Sequence, residues 1–276
     1  MIHHILIPCD GSRYAKTSVK YGIYIARKLD AKLTCLHVVD IRLLQPPLLC
    51  DISGSVGIPP YPEFLPVEVN GLEHRADVIM NDFALECEKA KVAHEAIKTH
   101  GIIDESIIHE GQTADWILLA QRGEHLHLGG IGSTAESVLR KAGRPVLVTP
   151  KEYCEIESMA CAFDGSPPAT NALKVAAELS EKTAWPLSVV IITDDQAVGA
   201  KLSGQAEDVL SPHTIDSETM ILGGPEDRSL LRFIKEGSVE LMVMGAYGHN
   251  RLREWLLGST TNFIIKNCSI PVLLQR

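Results

Sequence analysis

The chain has 276 residues, 45% of them hydrophobic and 22% charged, with a formal net charge of −9. That apolar fraction builds real cores and excludes global disorder. No apolar run reaches the ~18–20 residues of a membrane helix, which excludes a spanning protein, and an acidic chain has no electrostatic reason to coat nucleic acid.

The opening run, MIHHILIPCDGS, has no basic n-region and passes straight into Asp10 and Gly11. It reads as a buried strand and a turn, not as a signal peptide, and the expected compartment is cytoplasmic. Ile5–Cys9 is the strand, Tyr14–Leu29 an amphipathic helix with Ser12 as N-cap, and Lys32–Val39 a second strand. Residues 41–72 are rich in Pro and Gly and read as a long insertion, neither strand nor helix. Its Leu43, Leu44, Leu48, Leu49, Phe64 and Leu65 would be costly to expose, so it packs on something, as a lid or a surface. Glu73–His100 carries helical periodicity, with Ala76, Ile79, Met80 and Phe83 on one face. Glu105–His109 and Trp116–Ala120 read as short strands, Ala135–Ala142 as a helix and Pro145–Thr149 as a last strand.

The order then begins again. Strands are expected at Met159–Phe163, Leu187–Thr193, Glu218–Leu222, Leu241–Met244 and Val272–Leu274. Helices are expected at Ala169–Lys182, near Gln196–Leu210, at Asp227–Glu236 and at Thr261–Lys266. Four landmarks recur in order: Asp10-Gly11-Ser12 with Asp164-Gly165-Ser166, Leu36–Asp40 with Val190–Asp194, Gly132-Ser133-Thr134 with Gly258-Ser259-Thr260, and Pro145-Val146-Leu147 with Pro271-Val272-Leu273. The chain is two copies of one domain, 1–152 and 153–276. Short, continuously apolar strands alternating with helices imply an α/β fold with two tandem doubly wound parallel five-stranded sheets.

Ligands of open parallel sheets bind at the carboxyl ends of the strands, at the topological switch point. Asp10 and Asp164 close the first strand of each copy, where a carboxylate accepts hydrogen bonds from ligand NH or OH groups or caps a turn. In the second copy Gly245-x2-Gly248 ends a strand, and after nine residues Gly258-Ser259-Thr260 opens a helix. Glycines let backbone approach phosphate oxygens, a helix start offers free N–H groups, and the two hydroxyls add donors. His249, Arg251 and Arg253 in the intervening loop could neutralise phosphate charge. No Walker lysine follows, so this is not the P-loop of classical NTPases. His125 and His127 lie on one face of an extended segment without an evident third metal ligand. The seven cysteines are odd in number, scattered and without a CxxC, and read as reduced thiols. No nucleophile set can be assigned from spacing.

Gly245, Gly248, Gly258 and Ser259, with Asp164 upstream, match the pattern G-x2-G-x9-G-[ST] of the universal stress proteins, and both copies resemble that family over nearly the whole chain. The resemblance implies a Rossmann-like, adenine nucleotide alpha hydrolase-like fold that binds ATP, with or without magnesium. It implies that Asp164 contacts the nucleoside, that Ile192 contacts adenine through its backbone, and that the glycines and Ser259 wrap the phosphates. Asp10 and Val38 are the matching positions of the first copy. It also implies that Val146–Val148 and Val272–Leu274 pair antiparallel, making an intramolecular pseudo-dimer that could associate further into a homodimer. The role implied is a nucleotide-binding regulator or sensor of the stress response, with at most slow ATP hydrolysis.

The first copy departs from the pattern. One alignment pairs Trp116–Ala120 with the fourth strand, giving Ala120-x2-Gly123, eight residues, then Gly132-Ser133; it leaves little room for a helix before that strand. A rival makes Thr113–His125 the helix, Leu126–Leu128 the strand and Gly129-x2-Gly132 the turn. The first is favoured because Trp-Ile-Leu-Leu-Ala reads as a buried strand. Either way Gly130, Gly132, Ser133 and Thr134 form a glycine-rich helix start. Two other readings stand beside the nucleotide one: a scaffold acting through protein partners, in which the glycines serve tight turns, and an enzyme such as an adenylyl transferase, which the fold permits.

Overall fold

The computed structural model describes residues 2–44, 64–123, 131–237, 239–246 and 258–275. The first half holds β1 His4–Pro8, α1 Arg13–Leu29, β2 Lys32–Asp40, the single turn α2 Ile41–Leu44, α3 Phe64–Ala90, β3 His94–Gly101, α4 Ile103–Gly111, β4 Trp116–Ala120, α5 Ser133–Lys141 and β5 Val146–Thr149. The second holds β6 Met159–Ala162, α6 Pro167–Thr183, β7 Leu187–Ile192, α7 Gln196–Leu210, β8 Ser217–Leu222, α8 Glu226–Glu236, β9 Leu241–Gly245, α9 Ser259–Asn267 and β10 Val272–Gln275.

The two five-stranded parallel halves join into one ten-stranded sheet, ordered β3-β2-β1-β4-β5-β10-β9-β6-β7-β8. Pairing is parallel throughout except between β5 and β10, which run antiparallel. There Leu273 pairs Leu147, flanked by Val272 with Val148 and Leu274 with Val146. Leu147 and Leu273 occupy equivalent positions of the repeat, so a pseudo-two-fold axis passes through this pair. The register repeats as well: Ile5 pairs Leu33 and Trp116, and Met159 pairs Leu187 and Leu241.

Alternation along the strands feeds two cores. Ile5, Ile7, Leu147 and Leu273 face one, shared with α1, α3, α6 and α7; Leu6, Val146, Val148, Val272 and Leu274 face the other, with α4, α5, α8 and α9. Both cores run across the join. A carboxylate just before the fourth strand pins each first strand: Asp115 accepts from His3 and His4 N–H at 2.7 and 3.0 Å, and Glu240 accepts from Ser158 N–H at 2.9 Å. The linker between halves lies along α1. Arg13 pairs Glu152 at 3.1 Å, Thr17 Oγ1 donates to Lys151 O at 2.8 Å, Tyr21 Oη accepts from Cys154 N–H at 3.0 Å, and Tyr24 Oη donates to Ile156 O.

The sequence reading needs correcting in the first half. Residues 94–100 are not the end of a helix but strand β3, and 105–109 belong to helix α4, not to a strand. The break after α3 is made by Lys91 in the left-handed region (φ 57°), where a glycine would have been a visible stop signal. In α4 the acidic Asp104 and Glu105 sit in the first turn, favourable to the helix dipole, and Ile107 is buried. Residues 41–44 and 64–72 are helical; 45–63 lie outside the described residues. Because α4 is the crossover into β4, Trp116–Ala120 is the fourth strand, and the rival alignment that made 113–125 a helix is overturned.

Two stability measurements test this architecture. Leu273→Ala opens a cavity at the join and should cost about 2–5 kcal/mol in denaturant unfolding. Ala184 ends α6 with φ 58°, a left-handed cap position that disfavours a Cβ. Ala184→Gly should therefore stabilise by about 0.5–1 kcal/mol, the relief of strain less the extra freedom of glycine when unfolded.

Candidate functional site

In each half the chain runs outward from the first strand to the second and third, then crosses to the fourth. The switch points lie between β1 and β4 and between β6 and β9. Ala162 pairs Met244, so Asp164 and Gly245-Ala246 leave the sheet side by side. Each Asp makes the same local turn. Asp10 Oδ1 accepts from Ser12 N–H and Asp164 Oδ1 from Ser166 N–H, both at 2.9 Å. Gly11 and Gly165 follow with φ of 80° and 76°, conformations open to glycine, and Ser12 and Ser166 then cap α1 and α6. The helix after the second strand packs over this turn, with Ile79 of α3 above Gly11 and Leu202 of α7 above Gly165.

Val38 and Ile192 stand where their backbone faces the crevice. Leu36 O accepts from Cys9 N–H and Val190 O from Phe163 N–H, both at 2.9 Å. Polar groups of a parallel strand alternate sides, so Val38 and Ile192, two residues on, point to the same side as Leu36 and Val190. Beyond that point β1 and β6 have turned away.

The fourth-strand glycines differ between the halves. A Cβ at Gly245 would lie 2.6 Å from Ala169 N and 2.7 Å from Pro168 C, so the start of α6 packs directly on this residue. Ala120 holds the equivalent place in the first half. Gly123 instead abuts Asp10: its Cβ would meet Asp10 Oδ2 at 2.9 Å. Gly132 and Gly258 are the N-caps of α5 and α9, with φ of −61° and −52° and no side-chain cap bond; Ser133, Thr134, Ser259 and Thr260 form the first turns. A Cβ at Gly258 would meet just Thr261 Oγ1, at 3.7 Å, and at Gly132 the nearest atom is 3.5 Å away. Neither backbone angle nor packing among the described residues asks for glycine there. Gly130, Gly248, His125, His127, His249, Arg251 and Arg253 lie outside the described residues.

Several neighbours escaped the sequence reading. Arg75 Nη2 donates to Asp10 O at 2.9 Å, placing a guanidinium over the first crevice; its place in a periodic helix gave no signal. In the second half Asp194 Oδ1 accepts from Gly224 N–H at 2.9 Å, and Thr260 Oγ1 donates to Glu226 Oε2 at 3.3 Å. The Gly223-Gly224-Pro225 turn was a readable clue to that corner. Gln121, just past β4, is buried, and its side chain donates to Ile265 O of α9.

The thiols near the crevices are protonated. A hydrogen bond with Cys35 and burial hold Cys9 well above its ordinary value; burial raises Cys161 and pushes Cys87 up to about 12. Such thiols are poor nucleophiles. Among the described residues no three His, Cys, Asp or Glu converge as a metal set, and no helix is long and apolar enough to cross a membrane.

The sequence and the fold match known proteins. The model of the universal stress protein family matches residues 1–150 and 200–276. The chain is 32% identical over 294 aligned residues to Universal stress protein Slr1230 of Synechocystis, covering 99% of each chain. It is 24% identical to Universal stress protein Rv2005c of Mycobacterium tuberculosis, covering 99% of this chain and 97% of that one. A crystal structure of a universal stress protein from Archaeoglobus fulgidus superimposes with a TM-score of 0.80 at 21% identity, over 99% of this chain and 98% of that one. The chain belongs to the universal stress protein family.

Proposed function

We propose that the chain is an ATP-binding regulator of the stress response, acting in the cytoplasm, with two domains, 1–152 and 153–276, and its better nucleotide site in the second. Asp164 would take the nucleoside, the backbone of Ile192 the adenine, and Gly245, Gly248, Gly258, Ser259 and Thr260 the phosphates, with magnesium arriving on the nucleotide. The observation that carries the reading is Gly258. Among the described residues there is room for a Cβ there and no positive φ, yet the residue opens a helix whose first N–H groups have no side-chain cap. A phosphate oxygen approaching that turn gives the glycine its reason, and a helix start favours an anion. Bound nucleotide would stabilise whichever state holds it tighter, which is the physical basis of a sensor.

The first domain supports a second reading, as a partner domain without nucleotide. Its carboxylate Asp10 lies against Gly123, Arg75 covers the turn, and Ala120 stands where the second domain has Gly245. In that reading Asp10, Val38, Gly123, Gly130, Gly132, Ser133 and Thr134 serve turns and the pseudo-dimer, while the second domain keeps the ligand.

Isothermal titration of ATP, with and without magnesium, into nucleotide-stripped protein should give a stoichiometry near one. A value near two means the first domain also binds. No heat and no shift in melting temperature would refute nucleotide binding and leave the scaffold reading. Gly258→Ala should weaken ATP binding by at least about tenfold, about 1.4 kcal/mol, while the melting temperature stays within a degree or two. An unchanged Kd would remove Gly258 from the phosphate site.

A further inference from the structure

We propose that Gln121 of the first half is a positioning residue for the second half's phosphate cradle: it caps the far end of α9 across the pseudo-two-fold axis. The proposal rests on the reading of the α9 start as the phosphate site, and adds that this site depends on the first half.

The argument begins with α9 itself. Ser259–Asn267 is nine residues, ~13 Å at 1.5 Å per residue, and a helix this short holds together in water through its contacts and caps. Its last-turn carbonyls have no intrahelical donor. Cys268 N–H satisfies Ile264 O at 2.9 Å. Ile265 O is satisfied by the Gln121 side chain, which comes from a segment 144 residues earlier. The bond is buried and lies beside Val148, Thr149, Ile270 and Val272. Losing the amide leaves a buried acceptor unpaired, which is costlier than losing an exposed bond.

Gln121 is in turn held by the first crevice. Its N–H donates to Thr149 O at 3.0 Å, and its carbonyl accepts from Gly132 N–H at 3.0 Å, the residue that opens α5. It also begins the Gln121-Arg122-Gly123 turn beside Asp10. One residue therefore joins the first half's glycine turn to the helix that builds the second half's cradle. The antiparallel join explains how. Strands of the two halves run in opposite directions, so the C-terminal end of α9 lies at the sheet edge where the first crevice opens. Ala246 holds the symmetry-related place, and its methyl cannot donate. Any coupling through the Gln121 side chain is reciprocal.

Gln121→Met keeps the side chain's length and removes the donor. Hydrogen exchange on the full chain should show amides of 262–267 exchanging about threefold to tenfold faster, with α1 and α6 unchanged. The Kd of the second site for ATP should rise by a similar factor, while that for adenosine, which lacks phosphates, should not move. Unchanged exchange in α9 overturns the proposal, as does equal weakening of ATP and adenosine, which marks general loosening. If the parent protein binds neither ligand, the nucleotide reading fails and exchange alone decides the cap. Gly123→Val, which fills the first crevice, should change second-site ATP affinity at least twofold in the parent protein and leave it unchanged in the Gln121→Met background. An effect of the same size in both backgrounds also overturns the proposal.

Discussion

The pairing of β5 with β10 is the constraint on which the rest depends. A parallel five-stranded half ending at β5 would present an open row of N–H and C=O groups, an invitation to aggregation. Pairing Val146–Val148 with Val272–Leu274 consumes that row in both halves at once. It places Leu147 and Leu273 in one core and their neighbours in the other, so both hydrophobic layers cross the join without a break. That continuity stabilises the tandem, since each half alone would expose a face of its last strand and helix.

The same pairing sets the geometry of function. Because the halves run antiparallel, their switch-point crevices open on opposite edges of the sheet. A helix that starts at one crevice ends beside the other. Contact between the sites therefore needs no long relay; one helix of nine residues spans the distance, and a side chain at its far end is enough to touch both. The tandem holds two such helices, and at the far end of the second one the Gln121 side chain meets Ile265 O.

The repeat and the alternation of strand and helix were legible because they rest on strong local signals, whereas the facing of the last strands followed only from the family resemblance. Asp-Gly-Ser turns demand positive φ at Gly11 and Gly165, and buried parallel strands write themselves as apolar runs. What stayed hidden is equally physical. β3 is an edge strand whose residues are almost all half-buried, so His94–Gly101 shows neither an apolar run nor a clean alternation. Its preceding stop is Lys91, a residue that gives no hint of a left-handed turn. At the site, the Asp turns and glycine helix starts could be read directly. Arg75, Asp194 and Gln121 could not, because their roles come from partners in other elements, 30 to 144 residues away.

The glycines show how one residue type carries two meanings. Gly245 is required by the protein, since α6 begins against its α-carbon. Nothing among the described residues requires Gly258, since a methyl group meets just Thr261 Oγ1 there, at 3.7 Å. A motif that contains both cannot be read as structural or as ligand-binding throughout. A half with Ala120 in that place cannot seat the helix after its first strand as closely on the fourth strand as α6 sits on Gly245. A half that keeps the second kind, as Gly132 does, keeps an open helix start. The first half has done both, which leaves it a glycine helix start, Gly123 set against Asp10, and a turn whose Gln121 bonds α9 of the other half.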